Sequence, residues 1–227
     1  MSYITRMPYM HIVKIIFEEF ICLRDLSRLR GVLIRLSNGN ELFHNHQGPD
    51  GYRYSYPKIQ YKIIEGRGAV IGINEGAEAL LQIFAGREII ECQFGYKDTV
   101  LHVASVEESD CELVLTDRMC KYQIKDWQPL NSRNYVRFIN ADGLISQVDM
   151  LEKILTGNIL SMAKGLGIYF DARVICKIDS LDYDGSNIYK GVELMNFTAL
   201  FRTNVMLPQW IGLGKSSSLN HGTITYK

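Results

Sequence analysis

The strongest constraint on the fold is the order in which strand-like and helix-like segments follow one another in the first half of the chain. Residues 10–20 are rich in Ile, Val and Phe with weak alternation, which predicts a mostly buried strand. Residues 23–36 carry apolar side chains at helical spacing and predict a helix. The segments that follow are predicted as strands at 56–64 and 69–73, a helix at 75–84, and strands at 87–93, 100–106 and 112–124. This β-α-β-β-α-β order is that of a ferredoxin-like module.

The second half also mixes helix and strand patterns. A long helix is predicted at 143–163, where apolar residues recur every three or four positions. Strands are predicted around 168–178, 192–206 and 223–227, with a glycine-bearing loop before the last one. The polar segment 127–133 is the predicted boundary, which gives domains at residues 1–128 and 129–227. Two α+β halves in tandem are therefore expected, because one doubly wound sheet would require regular βα alternation.

The charge balance limits the kind of partner. The 227 residues carry 25 basic and 25 acidic side chains, so the formal net charge is zero, which argues against a large nonspecific nucleic-acid-binding surface. Positive charge is concentrated locally instead. On the predicted helix, Arg24, Arg28 and Arg35 fall within about 40° of one another. Such a stripe either binds an RNA backbone or forms a solvated helix face.

Cysteine usage and apolar runs indicate the compartment. The five cysteines are an odd number without a Cys-x-x-Cys pair, which argues against a disulfide framework and against a cysteine zinc site. No apolar run approaches the roughly 20 residues that a membrane-spanning helix needs. The first residues also lack the pattern of a secretion leader. A cytoplasmic protein with no membrane partner is therefore expected.

The first candidate site is the glycine-rich loop at 212–222, which begins Gly212-Leu213-Gly214-Lys215-Ser216. Glycines let a backbone approach a phosphate closely, exposed N–H groups bind its oxygens, and Lys215 adds charge. The segment is not a nucleotide-triphosphate loop, because it lacks the four-residue spacer before Gly-Lys-Ser and leads into a strand. Phosphate binding and a simple turn both remain open.

The second candidate site is Phe43-His44-Asn45-His46, in a loop predicted at 38–51. Imidazole both accepts and donates protons near neutral pH. Cleavage of RNA by its own 2′-hydroxyl needs a base, an acid for the leaving 5′-oxygen, and positive charge beside the phosphate. His44, His46 and a nearby lysine or arginine supply all three. His-x-His is also a common pair of metal ligands, and loop histidines are often structural, so three interpretations stay open.

Several motifs spread from residue 43 to the end of the chain belong together. They are Phe43-His44-Asn45-His46, Tyr52-Arg53-Tyr54-x-Tyr56-Pro57-x-Ile59-Gln60-Tyr61-Lys62, Ile73-Asn74-Glu75-Gly76-Ala77, Glu152-x-x-Leu155-x-Gly157-Asn158-Ile159-Leu160-Ser161-x-Ala163-Lys164-Gly165, and Leu207-Pro208-x-x-Ile211-Gly212-Leu213-Gly214-Lys215-Ser216. As an ordered set they resemble the b-type branch of the CRISPR precursor-RNA processing endoribonucleases, the Cas-six family.

The resemblance implies two ferredoxin-like, RRM-related halves and cleavage of CRISPR repeat RNA, without a metal or another cofactor, to a 2′,3′-cyclic phosphate. It implies that His44 and His46 are catalytic, that Tyr52 or Tyr54 assists, and that the glycine-rich loop holds RNA phosphate. The residues expected to bind RNA or stabilise the phosphorane are Arg53, Lys58, Gly212, Gly214, Lys215 and Ser216, with Arg24, Arg28 and Arg35 along the helix. CRISPR effector proteins and a second copy of the chain are further candidate partners. A repeat-RNA-binding subunit without catalysis and a metal-dependent nuclease remain the alternatives.

The chain departs from the family pattern at the end of the loop. The family usually has a basic residue followed by Gly-aromatic-Gly, whereas this chain has Leu219-Asn220-His221-Gly222. One glycine and one positive charge are missing. This predicts a weaker grip on RNA there, unless protonated His221 replaces the charge.

Overall fold

The computed structural model describes residues 9–44, 56–94, 96–189 and 192–227. The elements are, in chain order, β1 (Tyr9–Phe20), α1 (Leu23–Leu36), α2 (Glu41–His44), β2 (Ile59–Ile64), β3 (Arg67–Ile73), α3 (Glu75–Phe84), β4 (Ile89–Phe94), β5 (Lys97–Glu112), β6 (Leu115–Trp127), α4 (Ser132–Ile139), α5 (Gly143–Gly165), β7 (Cys176–Tyr189), β8 (Val192–Val205) and β9 (Thr223–Tyr226). Within these ranges, no helix is both long enough and apolar enough to cross a membrane.

The first sheet has five antiparallel strands in the order β2-β3-β1-β5-β4. Strand β1 lies between β3 and β5, so β5 takes the position of the fourth ferredoxin strand and β4 is added at the edge. The predicted ferredoxin-like arrangement of the first half is confirmed. In the described part of the loop predicted at 38–51, residues Glu41–His44 form a short helix, α2.

The second sheet has four antiparallel strands in the order β7-β8-β6-β9. Helices α4 and α5 connect β6 to β7, as in a ferredoxin-like unit. The second helix of such a unit would lie between β8 and β9. Among the described residues that connection holds no helix, and the glycine-rich loop takes its place. The expected α+β fold of two tandem ferredoxin-like halves is confirmed.

The change from one sheet to the other comes earlier than the polar segment suggested. Strand β6, predicted as the last strand of the first half, pairs with β8 and β9 in the second sheet. The sheets therefore divide between Glu112 and Leu115. The polar segment instead leads into helix α4, which begins after Asn131. The side-chain oxygen of Asn131 caps the helix by accepting a hydrogen bond from the Asn134 N–H at 2.8 Å.

The strand predicted around 168–178 was misplaced. Strand β7 begins only at Cys176 and continues to Tyr189 as a long hairpin with β8. Its sequence is largely polar and includes Asp179, Asp182 and Asp184, so it lacks the apolar pattern that predicts a strand. Pairing with β8, rather than burial of side chains, stabilises this strand.

Two hydrophobic cores lie on opposite faces of the first sheet. On one face, Val13 and Ile15 of β1 pack with Leu26 and Leu29 of α1. On the other face, Ile12 of β1 belongs to the same core as the helix α5 and the second sheet. The two halves are therefore held together by a shared core.

Candidate active site

The edge strand β2 directs its side chains to both faces of the first sheet. Ile59 and Tyr61 belong to the core under α1, whereas Gln60 and Lys62 point toward the second half. All four side chains are buried. A strand with polar side chains buried on one face needs hydrogen-bond partners there, and the glycine-rich loop supplies them.

The glycine-rich loop also pairs with the outer edge of β2. The Tyr61 N–H donates to the Ser218 carbonyl oxygen at 2.8 Å, and the Ile63 N–H donates to Asn220 Oδ1 at 3.0 Å. The loop thus occupies the place of a further strand beside β2. Edge N–H groups that would otherwise lack protein partners are satisfied in this way.

Gly212 at the start of the loop is bonded through both of its backbone polar groups. Its N–H donates to Gln60 Oε1 at 2.8 Å, and its carbonyl oxygen accepts from the Tyr56 hydroxyl at 2.9 Å. A Cβ at this position would lie 2.6 Å from the Ser217 carbonyl oxygen and 2.8 Å from Lys62 Nζ. Gly212 therefore fastens the loop to the first sheet, and its N–H is occupied within the protein.

Lys62 completes this set of contacts. Its side chain is fully buried, and Nζ donates to the Ser217 carbonyl oxygen at 3.0 Å and to Thr223 Oγ1 at 3.1 Å. Burial lowers the pKa of the ammonium to about 7. Among the described residues no carboxylate forms an ion pair with it. We call Tyr56, Gln60 and Lys62 the polar clamp.

Lys215 is the exposed residue of the turn Gly214-Lys215-Ser216, and its two neighbours are half-buried. Lys215 is exposed, while Gly214 and Ser216 both have positive φ, at 84° and 57°. Gly214 lies against the Trp127 indole, whose N–H donates to Asn158 Oδ1 at 3.0 Å. The loop therefore presents Lys215 outward from a position fixed by the second half.

The residues that depart from the family pattern face into the protein. Leu219 packs against the first core, and Asn220 adopts φ +68° while its side chain bonds to β2. Asn adopts positive φ more readily than most other residues, which explains how it replaces a glycine here. These two residues dock the loop on β2.

His221 also has a position different from the one that the sequence suggested. Its Nδ1 lies 3.2 Å from the Asp126 carbonyl oxygen, and its pKa is lowered, mainly because the ring is buried. The neutral imidazole is thereby favoured. This environment disfavours the positive charge that protonated His221 was expected to supply in place of the missing one.

The histidine segment is fixed at both of its ends. His44 is the last residue of α2, where the preceding Phe43 is buried in the first core. The chain is described again from Tyr56, which contacts Gly212 and packs against Gly165, where an added Cβ would lie 2.5 Å from Tyr56 Cβ. The other predicted site residues of this segment lie outside the described residues; they are His46, Tyr52, Arg53 and Tyr54.

The predicted cations have different surroundings. Lys58 Nζ forms an ion pair with Glu75 at 2.6 Å, whereas Lys215 forms none among the residues described. Arg24, Arg28 and Arg35 are all exposed on α1, and Arg28 pairs with Asp25 at 2.8 Å. The arginine stripe is thus solvent-facing, as the helical spacing indicated.

Sequence reasoning missed Arg30 on the same helix. Arg30 is about 200° from Arg28 around the helix, on the side toward β2. Burial raises the pKa of the Tyr61 hydroxyl, and the nearby charge of Arg30 opposes that rise. The Tyr61 hydroxyl has no hydrogen-bond partner within the described ranges. The helical angle of Arg30 next to the apolar stripe was the signal that could have revealed it.

One group of side chains in the described ranges has the spacing of metal ligands, and it lies away from the loop. Glu18 and Glu19 of β1 meet His102 of β5, and Glu19 Oε1 is 2.7 Å from His102 Nδ1. This is an exposed ion pair. The metal interpretation of the His-x-His motif depends on His46 and gains nothing from it.

Two sheets with a shared core, and a glycine-rich loop in place of the last helix, define the tandem ferredoxin-like class that includes the Cas6 nucleases. A crystal structure of Cas6b has this fold with a TM-score of 0.85 and 28% identity, covering 96% of this chain and 100% of that one. A crystal structure of the CRISPR RNA processing endoribonuclease Cas6b gives a TM-score of 0.72 and 27% identity, with the same coverage of 96% and 100%.

Sequence profiles identify the particular family. The Cas6b N-terminal domain matches residues 8–110, and the Cas6b C-terminal domain matches residues 114–226. The chain belongs to the Cas6b family, as the resemblance of its motifs indicated. It is also 33% identical over 117 residues to the uncharacterized protein MJ0978 of Methanocaldococcus jannaschii, covering 50% of this chain and 76% of that protein.

Proposed function

We propose that this protein is an endoribonuclease that processes CRISPR repeat RNA. The observation that carries the proposal is the hydrogen bond from Tyr56 to Gly212, at 2.9 Å. Tyr56 follows the histidine segment, and Gly212 begins the glycine-rich loop. One contact therefore ties the segment that holds the candidate acid and base to the segment that holds the candidate phosphate-binding loop.

The proposed reaction is an intramolecular transesterification. One of His44 and His46 removes the proton from the 2′-hydroxyl, and the 2′-oxygen forms a bond to phosphorus. The P–O5′ bond breaks, and the other histidine gives a proton to the leaving 5′-oxygen, with Tyr52 or Tyr54 assisting. The products are a 2′,3′-cyclic phosphate and a 5′-hydroxyl, and no metal takes part.

Of the two proposed cations that the structure describes, Lys215 is better placed than Lys58 to stabilise the phosphorane. The ammonium of Lys58 is already paired with Glu75, and Arg53 lies outside the described residues. Lys215 is exposed, on a turn with two positive-φ neighbours. Preorganised positive charge at the site of developing negative charge lowers the barrier more than charge that must first be released from a partner.

The arginine stripe of α1 is proposed to contact the RNA backbone. Arg24 and Arg35 are exposed and without ion pairs in the described ranges, and Arg28 has one carboxylate partner. Because the whole chain has no net charge, a localised stripe rather than the overall field would supply phosphate contacts.

The double variant His44→Ala/His46→Ala tests the assignment of the acid and base. Loss of both groups is expected to slow cleavage of a cognate repeat by about 10²-fold or more, because general acid–base catalysis contributes that much. The matched control is His102→Ala. It removes an exposed histidine of β5, which pairs with Glu19 of β1. Binding of the repeat with undiminished cleavage by the double variant would refute the assignment.

A further inference from the structure

We infer that Lys62 is a positioning residue, which holds the glycine-rich loop against β2 in the arrangement that cleavage requires. The inference rests on the proposed function and adds to it a residue that touches no substrate. Lys62 has 0% exposure, so its ammonium cannot contact an RNA phosphate. It acts only through the loop that it binds.

The contacts of Lys62 are directed at two points of the loop. The Ser217 carbonyl oxygen lies just after the Gly214-Lys215-Ser216 turn, and Thr223 Oγ1 lies where the loop enters β9. Thr223 Oγ1 itself donates to the Asn220 carbonyl oxygen at 2.6 Å. Lys62 thereby joins the two ends of the segment that turns back over β2.

Lys62 is held by hydrogen bonds to the loop and to the first residue of β9, and not by a counter-ion among the described residues. The groups facing its ammonium are the Ser217 carbonyl, the Thr223 hydroxyl, the Gly212 backbone and the ring of His221, whose pKa the charge of Lys62 lowers. Within the described ranges no carboxylate is among them. A buried ammonium without a counter-ion is costly, so an apolar side chain of similar length would fold more easily.

Two tryptophans make the loop observable without RNA. The chain has only Trp127 and Trp210. The indole of Trp127 contacts Gly214, and Trp210 lies two residues before Gly212. Tryptophan emission and its quenching by acrylamide therefore report the placement of the loop in the whole, RNA-free protein.

The test compares Lys62→Met with the parent and with Lys177→Met. Methionine keeps the length and apolar contacts of the lysine stem and removes its donors. Lys177 lies on β7, the edge strand of the second sheet opposite β9, and pairs with Glu152 at 2.7 Å. We expect Lys62→Met to change acrylamide quenching and to lower kcat by about tenfold or more, as misplacement of a catalytic loop does. We also expect the Kd for repeat RNA to stay within about threefold, because the exposed phosphate contacts remain.

A second variant keeps the inference open to refutation if Lys62→Met does not fold. Thr223→Val is isosteric and removes the acceptor Oγ1, so the same change in quenching and a smaller loss of kcat are expected. Parent-like quenching and kcat in both variants would overturn the inference, and so would an equal effect from Lys177→Met. A parent that cuts no repeat RNA would instead refute the proposed function, while the quenching data would still decide whether Lys62 holds the loop.

Discussion

The hydroxyl of Tyr56 donates a hydrogen bond to the carbonyl oxygen of Gly212 at 2.9 Å, although the two residues are 156 positions apart in the sequence. The same hydroxyl accepts a hydrogen bond from Gln60 Nε2, also at 2.9 Å. One phenol thus links the end of the histidine segment, the edge strand β2 and the start of the glycine-rich loop.

Tyr56→Phe tests this link. Removal of the hydroxyl leaves the Gly212 carbonyl and the Gln60 amide each without one partner, which should lower the free energy of unfolding by about 1–3 kcal/mol. Urea unfolding measures the change. The matched control is Tyr183→Phe, where the tyrosine is 56% exposed and its ring packs against Phe197. Equal stabilities of the two variants would show that the link contributes nothing.

Lys62 should give the folded protein a characteristic pH dependence. Its pKa is about 7 when folded, against the ordinary 10.5 of a solvent-exposed lysine in the unfolded chain. Between these two pH values the unfolded chain binds a proton that the folded protein does not, so the free energy of unfolding rises with pH. Below about pH 7 both states are protonated and this slope vanishes.

The variant Lys62→Met isolates that contribution. Urea unfolding at pH 7 and at pH 9 should show a gain in stability for the parent that is distinctly smaller in the variant. All other titrating groups are common to the two proteins and cancel in the comparison. An identical gain in both proteins would mean that Lys62 is charged throughout this range when folded.

Lys215→Ala tests the exposed cation of the loop. Because Lys215 is exposed, unfolding should be unaffected, while cleavage should slow and the salt dependence of RNA binding should fall by about one phosphate contact. Repeat binding across a range of salt concentrations measures the slope. Lys97→Ala, at the exposed start of β5, is the control and should match the parent. An unchanged slope and rate for Lys215→Ala would exclude it from the RNA site.

Gly214→Ala and Gly157→Ala are expected to change the free energy of unfolding in opposite directions. Gly214 has φ +84°, and an added Cβ would lie 2.9 Å from Asn158 Oδ1, so alanine should destabilise by about 1–2 kcal/mol. Gly157 lies within helix α5 with nothing within 4 Å of an added Cβ, so alanine should stabilise by about 0.5–1 kcal/mol. Thermal unfolding of both variants decides; destabilisation by Gly157→Ala would contradict the geometry.

The sequence predicted the elements whose pattern is local. Helix α1 was predicted at the residues where it lies, and α3 likewise, because apolar residues at helical spacing are a strong signal. Strand β7 was predicted too early in the chain, since its sequence is mostly polar and pairing with β8 determines its position. Helix α4 was missed, since it is short and only half of its residues are apolar. The family was also predicted correctly, because its motifs are spread over most of the chain.

The polar clamp could not be predicted from sequence. A lysine in a strand normally indicates a solvent-facing position. The burial of Lys62 depends on a loop more than 150 residues away, as the contact to Ser217 with a separation of 155 shows. No local pattern contains that information, so only the assembled fold reveals it.

Metal-independent attack by the 2′-hydroxyl is tested by cleavage of end-labelled repeat RNA in excess EDTA, beside the same RNA with a 2′-deoxy nucleotide at the cut. We expect cleavage that survives EDTA, stops with the 2′-deoxy substrate, and leaves a 2′,3′-cyclic phosphate. Cleavage that is lost in EDTA and restored by added metal would contradict it, and so would cutting of the 2′-deoxy substrate at the same bond.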